Sequence, residues 1–322
     1  MGRKERRIQK KFEKNPIREL NKVQNRFYSQ LFWKFSQTED PRHPSYITYT
    51  NRMMLGTLYY KGIAGIDSMQ EMTEKFNDEA VSKNLSVFMG ETAKEYVPRH
   101  VTEKAYLERL DPAELEEIKQ RFPRLPILLL ADSLYASKQV MELSREYKWE
   151  FLIRHKKGSI PSIAEEYEKI PEKGKTEKAE FVNEIDYEGK PVHVLRYREE
   201  KEGEITEFQW LCSIKISKEN AEKMAEAGRK RWKIENEGFN RQKNWQGDIT
   251  HACSWNDQSQ KNHYLMEQIS DFMKQLYEYY YLKKNGIEKK QKNISSDLLA
   301  SFGRQLTKED IFPVDENTQS FN

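Results

Sequence analysis

The stretch LPILLLADSLYAS, Leu125 to Ser137, decides how the fold is read. Five of its first six residues are apolar, and the run stops at Asp132. A short apolar run bounded by turn residues reads as a buried strand. Aspartate at its end has an ordinary explanation, because Asp favours turns. It also has a functional one, because chemistry in α/β sheets gathers beyond the carboxyl ends of strands. Next in the chain, KQVMELSREYK places Val140, Leu143 and Tyr147 on one helix face, and WEFLIRH reads as another strand. Together they form a β-α-β unit, expected to hold two parallel neighbours joined by a right-handed crossover.

Further along, residues 156–178 read as loop and short helix, and FVNEIDYEGKPVHVLRYREE as two strands around a Glu188-Gly189 turn. EFQWLCSIKI, Glu207 to Ile216, is a third strand; a helix is expected from about 218 to 242 and a last one near 262–283. That last helix would carry Leu265, Ile269, Phe272, Leu276 and Tyr280 on one face. Before the apolar run, Ile17, Leu20, Val23, Phe27 and Leu31 recur three or four apart, which predicts a helix over 16–36. A second helical run covers roughly 46–62. Ser68 with Glu71 forms a capping box, and Asp111-Pro112 with Glu114 opens another helix. The reading is α/β: helices over 1–120, a mixed region over 121–312, and a disordered polar tail over 313–322.

Composition limits the function classes. Hydrophobic residues make up 37% and charged residues 33%, and no apolar run approaches the roughly 20 residues that span a bilayer. The charged N-terminal stretch has no apolar core behind it, so it does not read as a secretory signal. Two cysteines, Cys212 and Cys253, lack metal-type spacing and fit a reducing cytoplasm. Net charge is only +3, yet residues 1–26 hold ten Lys/Arg against three Glu. Arg3, Arg6, Arg7, Lys10 and Lys11 in that block are candidates for contacts to DNA phosphates, with a solvated helix end as the equal alternative.

The expected helix after the third strand contains RKRWKIENEGFNRQKN. Arg231 and Glu235 are four apart, hence on one helix face, and Lys243 lies eight beyond Glu235. An exposed ion-paired helix would explain such a pattern, but Trp232, Ile234 and Phe239 interleave with the charges. ADSLYA around Asp132, joined to RWKIENEGFNRQKN around Glu235, resembles the DDE transposases of bacterial insertion sequences, in the group with an Arg and a Lys flanking the last catalytic Glu. The resemblance extends to GIDSMQEMTEKFN, LERLDPAELEEI and the C-terminal helix.

The resemblance implies a ribonuclease-H-like core with a β insertion at about 179–217. It implies three carboxylates that hold two Mg²⁺ or Mn²⁺ ions for in-line displacement at phosphorus. Asp132 would be the second Asp and Glu235 the final Glu, both as metal ligands, with Arg231 and Lys243 at the phosphate. The implied partners are double-stranded DNA, as transposon ends and target, and a second copy or an intact transposase. The implied location is the nucleoid of a bacterial cytoplasm.

The pattern breaks upstream. Only KQRFPR separates LDPAELEEI from LPILLLAD, where the family carries the first strands and first Asp of the core. Asp40, Asp67, Asp78 and Asp111 do not end apolar strands. The chain therefore reads as an internally shortened transposase with an incomplete core and impaired strand cleavage. The alternative is a non-catalytic DNA-binding relic or an inhibitor of an intact transposase. Without the first strands, LPILLLAD would present an unpaired apolar edge. Gly228 stands where the motif expects Tyr, and Gln242 where it expects Lys, with Lys243 one further.

Other residues carry less. His251 and His263 read as surface or capping residues; Arg154 and His155, at a strand end, could touch DNA or simply end the strand. Trp210 reads as core of the insertion, and YEYYYL at 277–282 as a partly packed helix face.

Overall fold

The computed structural model describes residues 15–120, 126–156, 158–201, 204–233, 237–244 and 253–311. The fold is mixed α/β. Its contacts divide the chain into two compact units, residues 125–238 and residues 1–124 with 239–322.

The larger unit is helical. It runs through α1 (Pro16–Tyr28), α2 (Leu31–Gln37), α3 (Asn51–Ala64), α4 (Met69–Phe76), α5 (Glu79–Phe88), α6 (His100–Leu107) and α7 (Pro112–Gln120). Both N-caps form: Ser68 Oγ accepts from the Glu71 N–H at 3.0 Å and an Asp111 carboxylate oxygen accepts from the Ala113 N–H at 2.9 Å, while the Glu71 carboxylate pairs with Lys75. The run expected over 16–36 divides at a two-residue turn, Ser29-Gln30. The run expected from 46 starts at Asn51, where Thr50 Oγ1 accepts from the Met53 N–H. The helix α3 is buried nearly all round, as a central helix must be.

The smaller unit follows the β-α-β expectation. β1 (Leu128–Ala131) runs parallel to β2 (Glu150–Arg154), with α8 (Lys138–Glu146) between them in sequence. Leu128 pairs with Glu150 and Ala131 with Ile153. After α9 (Pro161–Lys169) come β3 (Gly174–Lys175), β4 (Ala179–Tyr187), β5 (Lys190–Lys201) and β6 (Glu204–Cys212), then α10 (Ala221–Arg229). The β4–β5 turn sits at Glu188-Gly189, both at positive φ, 54° and 77°, as a two-residue primed hairpin turn requires. β6 pairs antiparallel with β2, which joins the insertion to the β1–β2 pair in one sheet of order β1-β2-β6-β5-β4-β3.

Helices cover both faces of this sheet. Phe151 and Ile153 of β2 pack with Met141 of α8 and Ile163 and Tyr167 of α9. Leu152, between them in sequence, packs on the other face with Trp210, Met224 and Ala225. Burial on both faces is why β2 reads as a continuous apolar run rather than an alternating one; β1, expected to be buried, is only partly covered, with Leu129 and Ala131 against one cluster and Leu130 against the other. Among the described residues β1 has one partner strand, β2, and Leu128 is 37% exposed. The expected apolar edge is there.

The helix expected over 218–242 is not one regular helix. α10 ends at Arg229, Lys230–Trp232 form a 3₁₀ turn, and α-helical turns resume as α11 (Phe239–Asn244) in the other unit. A 3₁₀ turn at a helix end is common, and Gly228 weakens the last α turn. The last long helix, α12 (Asp257–Tyr277), starts earlier than expected and passes through a π turn at Glu278–Leu282. α13 (Gln291–Phe302) and α14 (Lys308–Ile311) follow. The expected tail and the basic block with Arg3, Arg6, Arg7, Lys10 and Lys11 lie outside the described residues.

Candidate functional site

Asp132 stands one residue beyond β1, at the strand's carboxyl end. Its Oδ1 caps the 3₁₀ turn Ser133–Tyr135, accepting from the Ser133 N–H at 2.6 Å and from the Ser133 hydroxyl at 3.0 Å. Its Oδ2 lies 3.6 Å from Arg231 Nε. The Ser133 hydroxyl first, then the cations of Arg231 and Lys156, hold the Asp132 carboxyl below the usual carboxylate range.

Register brings Arg154 to the same place. Ala131 pairs with Ile153, so the residues after them, Asp132 and Arg154, lie side by side at the strand ends. The Arg154 guanidinium donates to the carbonyls of Glu207 at 3.2 Å and Gln209 at 3.3 Å. It lies over the rings of Phe208 at 4.7 Å and Trp210 at 5.3 Å. Burial pulls its pKa down, partly countered by the charge of Asp132. Phe208 and Trp210, two apart on β6, share one face and stack at 5.8 Å with 12° between planes. Arg229 of α10 lies over the Phe208 ring at 4.2 Å and pairs with Glu199 of β5.

These groups surround a cavity of about 290 Å³, closed further by Lys156, Gly228 and Trp232. Trp210 is 2% exposed, as expected of a core residue, whereas Trp232 is 48% exposed. Gly228 is the point where α10 meets the sheet. A Cβ there would lie 2.5 Å from Trp210 Cε2. The indole thus takes the space into which a larger side chain at 228 would project.

Of the residues expected at the site, Asp132, Arg231 and Arg154 come together. Lys243 lies exposed on α11, in the other unit. Glu235 lies outside the described residues. Arg231 itself sits on the 3₁₀ turn Lys230–Trp232. His155 is buried, its Nδ1 2.9 Å from Gln209 Oε1. His263 is not a surface residue either; it is buried 3.6 Å from Glu267. His251 lies outside the described residues. Sequence reasoning passed over Lys156, Phe208 and Arg229. The aromatic pair two apart in EFQWLC and the cation run RKRWK are the signals that could have found them.

Divalent hard cations take oxygen ligands, chiefly carboxylates. Here one carboxylate, Asp132, faces four cationic side chains, and one of its oxygens is already engaged twice by Ser133. Among the described residues no three His, Cys, Asp or Glu side chains come together as a metal site. The described residues do not fit a two-metal centre.

The model of the transposase DDE domain matches residues 93–266, just over half of the chain. No curated protein matches it. The match includes both strands of the β-α-β unit, the insertion, and the turn that carries Arg231, and the chain belongs to the transposase DDE domain family.

Proposed function

We propose that this chain is a DNA-binding member of the transposase family whose strand-cleaving centre is impaired. The observation that carries the reading is the position of Asp132: at the end of an edge strand, ringed by cations. A core of the ribonuclease-H type needs a neighbouring strand with its own Asp on that edge. The upstream aspartates are engaged elsewhere. Asp40 binds Arg42, Asp78 caps α5 and Asp111 caps α7, while Asp67 lies between α3 and α4. The family generally uses divalent metals on DNA, yet Mg²⁺ or Mn²⁺ has only Asp132 to meet in the described part of this site.

DNA is the partner this reading assigns, as transposon ends and target. Arg231, Arg154 and Lys156 supply phosphate contacts, and the basic block with Arg3, Arg6, Arg7, Lys10 and Lys11 and the exposed Lys243 add to them. No helix among the described residues is long and apolar enough to cross a membrane. The nucleoid is the location consistent with DNA as partner. The open β1 edge favours a second reading, in which the chain pairs with another copy or with an intact transposase and blocks it.

Gel-shift titration of duplex DNA at rising salt tests the reading. Phosphate contacts release counterions, so affinity should fall at least tenfold between about 50 and 200 mM salt. No binding at low salt would refute it.

A further inference from the structure

We infer that the cavity at the carboxyl end of α12 is a docking site for an acidic peptide that carries an apolar anchor residue. The cavity, about 390 Å³, lies in the helical unit between the π turn Glu278–Leu282 and the start of α13. Its size falls within the range of pockets that seat small ligands, roughly 300–1,000 Å³. Leu282, Ile287 and Ile294 give it aliphatic walls. The π turn beside it is of a kind that gathers at functional sites.

The rim has the opposite character. Residues 283–292, KKNGIEKKQK, hold five lysines against Glu288 alone. Lys289 pairs with Asp297 at 2.6 Å. Lys283, Lys284, Lys290 and Lys292 are exposed, and among the described residues none of these four pairs with a carboxylate. Four ammonium groups against one carboxylate leave an excess of three positive charges. Lysines near a helix end ordinarily serve its last carbonyls. Here those carbonyls are already taken. Tyr281 O accepts from Asn285 Nδ2 at 2.6 Å, Leu282 O from the Ile287 N–H at 2.9 Å and Lys283 O from the Gly286 N–H at 3.0 Å. Glu278, the other acid on the cavity wall, is also engaged: Arg241 donates to its two oxygens at 2.7 and 3.1 Å, and Gln291 Nε2 donates at 2.6 Å.

Apolar walls under a charged rim are the anatomy of a protein–protein contact. A DNA backbone would use the lysines and leave the aliphatic walls idle. A peptide uses both: its apolar side chain fills the cavity, and flanking Asp or Glu residues meet the lysines, which also steer its approach. Neither feature rests on the DNA-binding reading.

Fluorescence anisotropy with the full chain at about 50 mM salt tests this. The probes are a labelled peptide Asp-Glu-Asp-Leu-Phe-Asp-Glu-Asp, the same peptide with Ala-Ala in place of Leu-Phe, and a labelled DNA duplex. The Leu-Phe peptide should bind, and the Ala-Ala peptide should bind at least about tenfold more weakly, because it buries far less apolar surface. Lys283→Gln and Lys290→Gln, both at exposed positions, should each weaken the Leu-Phe peptide about threefold and together about tenfold. The anchor is varied in the peptide, so no core residue of the protein changes and misfolding cannot imitate the result. Failure of the Leu-Phe peptide to bind overturns the site. Equal binding of the two peptides reduces the patch to a basic surface and overturns it too, as does unchanged affinity in the double variant, which places the peptide elsewhere on the chain. Displacement of the peptide by duplex, with duplex affinity lost in the double variant, assigns the patch to DNA and overturns the peptide as its occupant.

Discussion

Replacing Gly228 by Ala sets two effects of opposite sign against each other. Gly228 lies in the last turn of α10, where Ala is favoured over Gly by about 1 kcal/mol in a helix interior. Helix propensity alone therefore predicts a more stable protein. The structure predicts the reverse. The new Cβ would meet Trp210 Cε2 at 2.5 Å and Nε1 at 2.6 Å, and the indole is rigid. Trp210 cannot retreat readily, because it is 2% exposed, stacked on Phe208 and covered by Arg154. Overpacking of this kind costs roughly 1–3 kcal/mol and more where neighbours are fixed, so a net loss of about 1–2 kcal/mol is expected. Urea unfolding followed by circular dichroism gives the difference. A second variant isolates the cause: Trp210→Phe removes the indole edge, so Gly228→Ala should cost about 1 kcal/mol less in that background. A stabilised Gly228→Ala protein, or strictly additive variants, would refute the packing argument.

Three further outcomes follow from other parts of the molecule. Lys61 and Glu267 pair at 2.7 Å, both buried, so Lys61→Met should cost about 3–5 kcal/mol, and adding Glu267→Gln should restore much of it in the same urea assay. Burial pushes the Lys274 ammonium down to about 8 from its ordinary 10.5. The unfolded chain then holds more protons between those values, so stability should rise with pH across that window by roughly 3 kcal/mol at most, and Lys274→Met should abolish the rise. Leu128 sits half-exposed on the open edge of β1, so the native chain should self-associate as concentration rises and Leu128→Lys should suppress it, read by light scattering.

Much of this fold is written in local sequence. EFLIR is apolar without alternation because helices cover both faces of its strand, LPILLLAD marks a strand that is only partly covered, and the Glu188-Gly189 turn and the Ser68 and Asp111 caps act over a few residues. The charged interior of the helical unit was not legible. Lys61 and Glu267 are 206 residues apart, and Lys274 meets Ser295 across two helices, so each reads as a surface charge until the helices pack. The site was half legible. Asp132 and Arg231 stand out by their motifs, and the register of β1 on β2 adds Arg154. The aromatic bed and Arg229 depend on β6 joining β2, a non-local pairing that hydrophobic patterns do not specify. The break at Lys230–Trp232 was missed for a simpler reason: charge spacing assumes one helical pitch, and the chain changes pitch there.

Nicking of supercoiled plasmid in Mn²⁺, with DNA binding measured on the same samples, tests the central claim most directly. The native chain should bind the plasmid at low salt and leave it uncut, and Asp132→Ala and Glu235→Ala should behave alike. Cleavage by the native chain, lost in both variants, would show a working metal centre and contradict the account.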